Sequence, residues 1–292
     1  MNMRMAPSSG GDVRSDSSRR LELGIVVGLT DIDSFSSVPC DFYELLMFNG
    51  QLDQVDLEAV SRTVRGLSRP VKFLHVQEFI SHDDSVTLLD LASGDEGVRS
   101  KSVGVVRSSR ELASHLGGLP IVIHPGGISR RPADRRRLSA NLVSSLAELG
   151  PDRLLLENMP WYYWLKGVGR MVSNVCVTCR DMSGFCDLVE GFVLDSCHGY
   201  LSRPEGDNEF CKSFMDSFRE KVVHIHVSDA MAPDKEGLQI GDGEIDFKFL
   251  TTANVPVLVE VWNGHENQGE GFRTGIERLR VLIQDVRLEP RR

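Results

Sequence analysis

Short, unbroken apolar runs recur along this chain at intervals of a few tens of residues, and nothing else in the sequence restricts its fold as strongly. The runs are Leu23–Leu29, Phe42–Met47, Val71–Leu74, Leu119–Ile123, Arg153–Leu156, Phe192–Leu194, Val222–Ile225 and Val257–Val259. They are rich in Val, Ile and Leu and mostly continuous rather than alternating, as expected of parallel strands covered on both faces. Between most of them lie segments with helical spacing: Leu57–Leu67, Ser109–Leu116, Leu138–Leu149, Met182–Val189 and Phe210–Phe218, with Phe272–Val286 after the last run. Glycine and proline mark the joints at Gly66, Gly117-Gly118, Gly150-Pro151 and Gly191. Only the first connection, Thr30–Asp41, is too short for a long helix.

Eight strands alternating with helices fit a (β/α)8 TIM barrel, and a doubly wound open sheet is the rival. The barrel is favoured because polar residues of catalytic type stand at the C-terminal ends of so many runs. An open sheet would gather them near one switch point. The chain has 292 residues, 41% of them hydrophobic and 26% charged, enough for one barrel domain of roughly 250 residues. That domain is expected over residues 21–292, after a Ser-, Gly- and Arg-rich tail at 1–20 expected to be disordered.

A net charge of −9 favours a small substrate over an extended nucleic-acid footprint, because phosphate binding needs clustered Lys and Arg. No apolar run approaches the roughly 18 residues needed to span a bilayer, and the N-terminus lacks the apolar core of a signal peptide. A cytoplasmic enzyme is expected. Its six cysteines, including Cys176, Cys179 and Cys186, then read as reduced thiols rather than as a thiolate metal site.

The chemistry stands at the strand ends. The third run ends in His75, the fourth in His124, the fifth in Glu157-Asn158 and the sixth in Asp195, with His198 beyond it. The seventh carries His224 and His226, and the eighth ends in Glu260. In a closed barrel these ends converge on one mouth. A carboxylate at the end of a buried strand must be paired or must ligate something, although Asp195 also suits an N-cap. His224 and His226, at i and i+2, face the same side, and only one need be a ligand. Two Glu, one Asp and one His form a mixed oxygen–nitrogen shell suited to manganese, magnesium, cobalt or zinc. Glu157 and Glu260, three strands apart in a ring of eight, would face each other across the mouth. That arrangement suits proton abstraction beside a carbonyl and return from the opposite side. With His75 and His124, Glu157 could instead bridge a second metal, which favours phosphoester hydrolysis.

The segments IVIHPGG, LLLENMPW, FVLDSCHGY, HIHVSDA, GDGEIDF and VLVEVW together resemble the xylose-isomerase-like barrel superfamily, which includes sugar epimerases and endonuclease IV. The resemblance covers roughly residues 21 to 285. It implies that Glu157, Asp195, His226 and Glu260 ligate a metal. In the epimerase branch the two Glu also act as the acid/base pair, and the position of His198 binds substrate. In the endonuclease branch His75 and His124 match ligands of an additional zinc bridged by Glu157, and His198 belongs to a third zinc. The segment from Ala232 to Ile240 lacks both the Asp-x-His that completes that third zinc and the Arg by which epimerases hold substrate.

All three Trp and three of the four Tyr lie near these candidates, and aromatic faces beside a metal can stack on a sugar or a base. Trp161, Tyr200 and Trp262, with Asn158, are the expected substrate contacts; a hydrophobic cover or an oligomer contact is the competing reading. Arg130, Arg131, Arg135, Arg136 and Arg137 follow the His124 run and read either as phosphate contacts or as a solvated helix face. The expected function is isomerisation or epimerisation of a small sugar or sugar derivative, with or without a phosphate. It would use one or two divalent ions per chain, with Glu157, Glu260 and His198 catalytic. The alternatives are a two-metal phosphoester hydrolase of the endonuclease IV type and a barrel that binds a ligand without turnover. Nucleic acid is the less favoured partner.

Overall fold

The computed structural model describes residues 20–52, 56–83, 85–165 and 167–288. Apart from Arg20, the expected disordered tail lies outside them. Eight parallel strands close into a ring, and each expected run supplies one. They are β1 (Leu23–Gly28), β2 (Phe42–Leu46), β3 (Val71–His75), β4 (Ile121–Ile123), β5 (Leu154–Glu157), β6 (Gly191–Asp195), β7 (Val222–Val227) and β8 (Val257–Val259). Spatial order follows chain order, and β1 seals the ring against β8 with Leu23 opposite Val257 and Ile25 opposite Val259. An open doubly wound sheet needs a reversal of strand order; there is none. The fold is a (β/α)8 barrel. All residues of β5 and β6 are buried, which is why those strands read as continuous apolar runs closed by a carboxylate.

The outer layer comprises α1 (Leu57–Arg65), α2 (Glu96–His115), α3 (Arg135–Leu149), α4 (Cys179–Ser183), α5 (Ser196–Tyr200), α6 (Phe210–Phe218) and α7 (Glu270–Leu288). Aspartates start several of them. Asp56, Asp95 and Asp134 each accept hydrogen bonds from two backbone N–H groups of the following turn, satisfying donors that a helix start leaves unpaired. Helix α2 extends well upstream of the expected Ser109–Leu116. Its inner face includes Ser102 and Ser109, whose hydroxyls donate to the carbonyls of Val98 and Val105 at 2.8 and 2.9 Å. Serines satisfied in this way can be buried, and a pattern of apolar residues alone misses them. The expected helix Met182–Val189 also differs: α4 ends at Ser183, with Gly184 as its C-cap, and turns follow.

Two connections carry no α-helix. After β1 there is a 3-10 turn, Ile32–Phe35, in keeping with the short connection. After β7 come a hairpin, Asp229–Met231 with Lys235–Leu238, and a 3-10 turn, Phe247–Thr252. The Asp229 carboxylate organises this connection by accepting from the backbone N–H groups of Ala230, Gly241, Gly243 and Ile245. Another sheet, Ile128–Ser129, Tyr162–Leu165 and Gly169–Ser173, rises from the mouth after β4 and β5. The two flaps are joined: Trp164 N–H donates to Glu236 Oε1 at 3.1 Å, and Arg170 pairs with Asp234 at 3.3 Å. All six cysteines are free. No helix among the described residues is long and apolar enough to cross a membrane.

Candidate metal centre

Glu157 is the hub of the mouth. It ends β5, is 1% exposed, and reaches four imidazoles contributed by other strands and loops. Its Oε1 lies 3.5 Å from His124 Nε2 and 3.1 Å from His198 Nδ1. Its Oε2 lies 3.5 Å from both His75 Nε2 and His226 Nδ1. Glu260, one residue beyond β8, brings Oε2 to 3.0 Å from the same His226 Nδ1, without the alignment of a hydrogen bond. Asp195 is 3% exposed and has two tasks. One oxygen caps α5 by accepting from His198 N–H at 2.6 Å. Asp195 also offers a ligand atom to a group with His226 and Glu260, and another to a group with Glu157 and His198. His75, His124 and Glu157 form a further group of converging donors. Within each group the ligand atoms lie within 4.8 Å of one another, and none of these groups contains a cysteine.

The electrostatics of this cluster call for a cation. Burial alone would push the His75 imidazole down, yet its pairing with Glu157 and the charges of Glu44, Glu157 and Glu260 hold it up at about 9. His198 is held at about 10 against the same burial effect by Asp195, Glu157 and Glu236. Asp195 is raised to about 6, chiefly by burial; His198 opposes the rise, and Glu157 and Glu260 add to it. Carboxylates crowded this closely keep protons on their neighbours unless another positive charge takes the protons' place. Two buried atoms point the same way. Glu157 Oε2 and His226 Nδ1 have no hydrogen-bond partner, a costly state for buried polar groups that coordination would relieve. The mixed oxygen and nitrogen donors suit a divalent ion.

Three acidic residues outside the sequence expectation complete the site. Glu44, on β2, is fully buried, and its Oε2 accepts from His224 Nε2 at 2.9 Å and meets His226 Nε2 at 3.3 Å. It holds the far nitrogen of His226, so that Nδ1 faces the carboxylates, the usual way an outer carboxylate orients a metal-binding imidazole. The signal was an isolated acid inside the apolar run FYELLM. Glu78 and Glu236 line the cavity above the cluster; both come from connections whose patterning announces no strand end. Glu236 Oε2 lies 3.9 Å from His198 Nε2.

Three expected substrate contacts lie elsewhere. Asn158 is fully buried, and its side chain clamps the tips of β5 and β6 by donating to Asp195 O at 3.1 Å and accepting from Asp195 N–H at 2.8 Å. Its carbonyl also meets His198 Nδ1 at 2.9 Å. Tyr200 is buried behind the site, with its hydroxyl donating to Glu244 at 2.5 Å. Trp161 packs against the core and donates its backbone N–H to Leu201 O. Of the expected contacts, Trp262 lines the cavity, joined by Tyr163 and Trp164. The arginines after β4 do not line it; Arg135 pairs with Asp181 at 2.7 Å and Arg137 reaches Gly94 O. The cavity measures about 400 Å³ and is walled by five carboxylates, two imidazoles and three aromatic rings of Tyr and Trp, with no Lys or Arg among the described residues.

The barrel fold recurs in known proteins. A protein named probable endonuclease 4 from Thermotoga neapolitana is 25% identical over 227 residues, covering 69% of this chain and 74% of that one. A solved D-tagatose 3-epimerase-like protein superposes with a TM-score of 0.67 at 19% identity, over 91% of this chain and all of the other. Endonuclease IV from Thermus thermophilus gives a TM-score of 0.59 at 16% identity, over 89% and 99%. At these identities the structural likenesses speak to fold alone. The family model described as xylose isomerase-like TIM barrel matches residues 40–282, and the chain belongs to that family.

Proposed function

We propose that this protein is a divalent-metal-dependent isomerase or epimerase of a small, uncharged sugar, moving a proton beside a carbonyl. Glu157, Asp195, His226 and Glu260 would hold the ion. When bound, it would polarise substrate oxygens and offset the negative charge that develops on them. The observation that carries the reading is the approach of Glu157 and Glu260 to a single imidazole nitrogen, at 3.5 and 3.0 Å, beneath a cavity lined by five carboxylates. Two carboxylates from strands on different sides of the ring can serve the two faces of one carbon, one taking a proton and the other returning it. His198, its Nδ1 engaged by Asn158 O, presents Nε2 to a substrate hydroxyl. Tyr163, Trp164 and Trp262 wall the cavity and limit the water that reaches the reacting carbon. Five carboxylates line the cavity, which favours a neutral sugar over a sugar phosphate among the expected substrates.

One observation favours a second reading. His75 and His124 aim Nε2 at the two oxygens of Glu157, a set able to hold a second ion with Glu157 as the bridge, as a two-metal phosphoester hydrolase requires. The test is proton exchange. Protein loaded with manganese, cobalt, magnesium or zinc, incubated with unphosphorylated ketoses in D2O, is expected to place deuterium on a carbon next to the carbonyl. Cleavage of abasic-site DNA, with no exchange into any sugar, would replace the first reading by the second.

A further inference from the structure

A second cavity, of about 520 Å³, adjoins the first and shares Trp164, Glu236, Gly237 and Trp262 with it. Each lies within the roughly 300–1,000 Å³ typical of small-molecule sites. The partition is unusual for its exposed indoles. Trp164 is 47% and Trp262 62% exposed, and they are the only aromatic residues besides Phe48 among the large apolar side chains exposed in the described residues. Both are held by the same short segment. The backbone N–H of Trp164 donates to Glu236 Oε1 at 3.1 Å, and the backbone N–H of Trp262 donates to Gly237 O at 2.9 Å. Gly237 has φ of 67°, and a Cβ there would collide with the Trp262 indole. Only glycine lets the ring sit so close to the backbone. The Trp262 indole therefore lies against the Gly237 backbone, and the main chain that carries the Trp164 indole is tied to Glu236.

Beyond the indoles, the outer cavity presents Leu238 and Asn263, with Asp234 and Asp242 at its edge. These two acids are already paired, with Arg170 at 3.3 Å and Arg278 at 2.6 Å, and Lys235 is the one cationic residue of the lining among the described residues. Indole faces flanked by charge-neutral hydrogen-bonding groups match a pyranose ring, which offers C–H faces for stacking and hydroxyls at its edge. A purely apolar extension would leave the polar groups without partners.

We infer that the outer cavity is a second sugar subsite, so that the preferred substrate is a neutral glycoside. Its reacting unit lies over the Glu157–Glu260 pair, and its second ring stacks on Trp164 and Trp262. The inference rests on the isomerase reading for the identity of the inner unit. Calorimetric binding to metal-loaded protein tests it, with D-fructose as the single-ring probe and the disaccharides maltulose and isomaltulose as two-ring probes. At least one disaccharide is expected to bind about tenfold more tightly than fructose, and Trp164→Ala and Trp262→Ala should each bring that ratio down towards one. Equal affinities in the parent protein, no disaccharide binding, or a preference that survives both substitutions would overturn the subsite. So would a dimer dispersed by Trp262→Ala without any sugar preference, because the indoles would then cover a second copy of the chain. Deuterium exchange into fructose without a disaccharide preference would remove the subsite and leave the reaction standing. A disaccharide preference without exchange into any sugar would do the reverse.

Discussion

His224 and His226 share a strand, a face and complete burial, yet they occupy different layers of the barrel. His224 lies on the floor. Its Nε2 meets Glu44 at 2.9 Å, its Nδ1 meets Pro256 O at 2.9 Å, and its ring stacks on Phe73 with centroids 3.9 Å apart. Both nitrogens are used, and burial outweighs the pull of Glu44 and lowers its basicity. His226 lies one layer higher. Glu44 holds its Nε2 as well, but Nδ1 faces Glu157 and Glu260 and has no hydrogen-bond partner. Burial opposes protonation here too, yet the charges of Glu44, Glu260 and Glu157 raise its basicity far above the ordinary value. Residue type and strand position do not separate the fully satisfied imidazole from the candidate ligand here; the count of satisfied atoms does.

The comparison can be broken most forcefully at the mouth. Glu260→Gln keeps shape and burial while removing a proton carrier, and is expected to lower turnover by about 10²–10⁴-fold with the thermal midpoint nearly unchanged. Steady-state kinetics on folded, metal-loaded variant would sink the acid/base assignment if the rate held. The two histidines should then exchange phenotypes. His226→Ala is expected to lose most of the bound ion by elemental analysis, whereas His224→Ala keeps the ion and loses about 2–4 kcal/mol of stability in denaturant unfolding. Parallel losses in both variants would mean that floor and mouth are not distinct. Glu44 joins the layers. Glu44→Gln should weaken ion binding about 10–100-fold while the fold survives, and Glu44→Ala should cost about 3–5 kcal/mol by stranding buried imidazoles. Titration with the metal, followed by calorimetry, separates those two effects.

The smallest effect concerns pH. His75, held at about 9 in the metal-free protein against an ordinary 6.5, contributes stability that is fully present below the ordinary value. That contribution is lost as pH rises through the folded value. The metal-free thermal midpoint should therefore fall between pH 7 and pH 10. In metal-loaded protein the ion would take the proton's place, so the gap between the two midpoints should widen with pH. A constant gap would take His75 out of the ion's surroundings.

All eight strands were legible because parallel barrel strands are buried on both faces and so spell unbroken apolar runs. The same logic exposed Glu157 and Asp195, buried acids at the ends of such runs, and Glu260, which ends its run at the mouth. It could have exposed Glu44, which interrupts its run instead of ending it. The flaps were not legible. Tyr162–Leu165 and Lys235–Leu238 are four-residue strands paired in local hairpins with Gly169–Ser173 and Asp229–Met231, too short for an alternating pattern to mark them, and the contact that joins them, Trp164 to Glu236, spans residues far apart in sequence. Trp161 and Tyr200 misled for a related reason: closeness to Glu157 and His198 along the chain says little about direction. A strand end points into the mouth, but the connection beyond it turns away within a few residues.

The seal between β1 and β8 also orders events in the life of the chain. Glu157, Asp195 and His226 emerge from synthesis before Glu260, and β8 has its place only when it can zip onto both β7 and the waiting edge of β1. Until then the ring has a gap where the last carboxylate belongs. Tight capture of an ion would thus coincide with the final strand clicking shut, late in folding, and an ion retained against a chelator becomes a reporter that the two ends of the barrel have met.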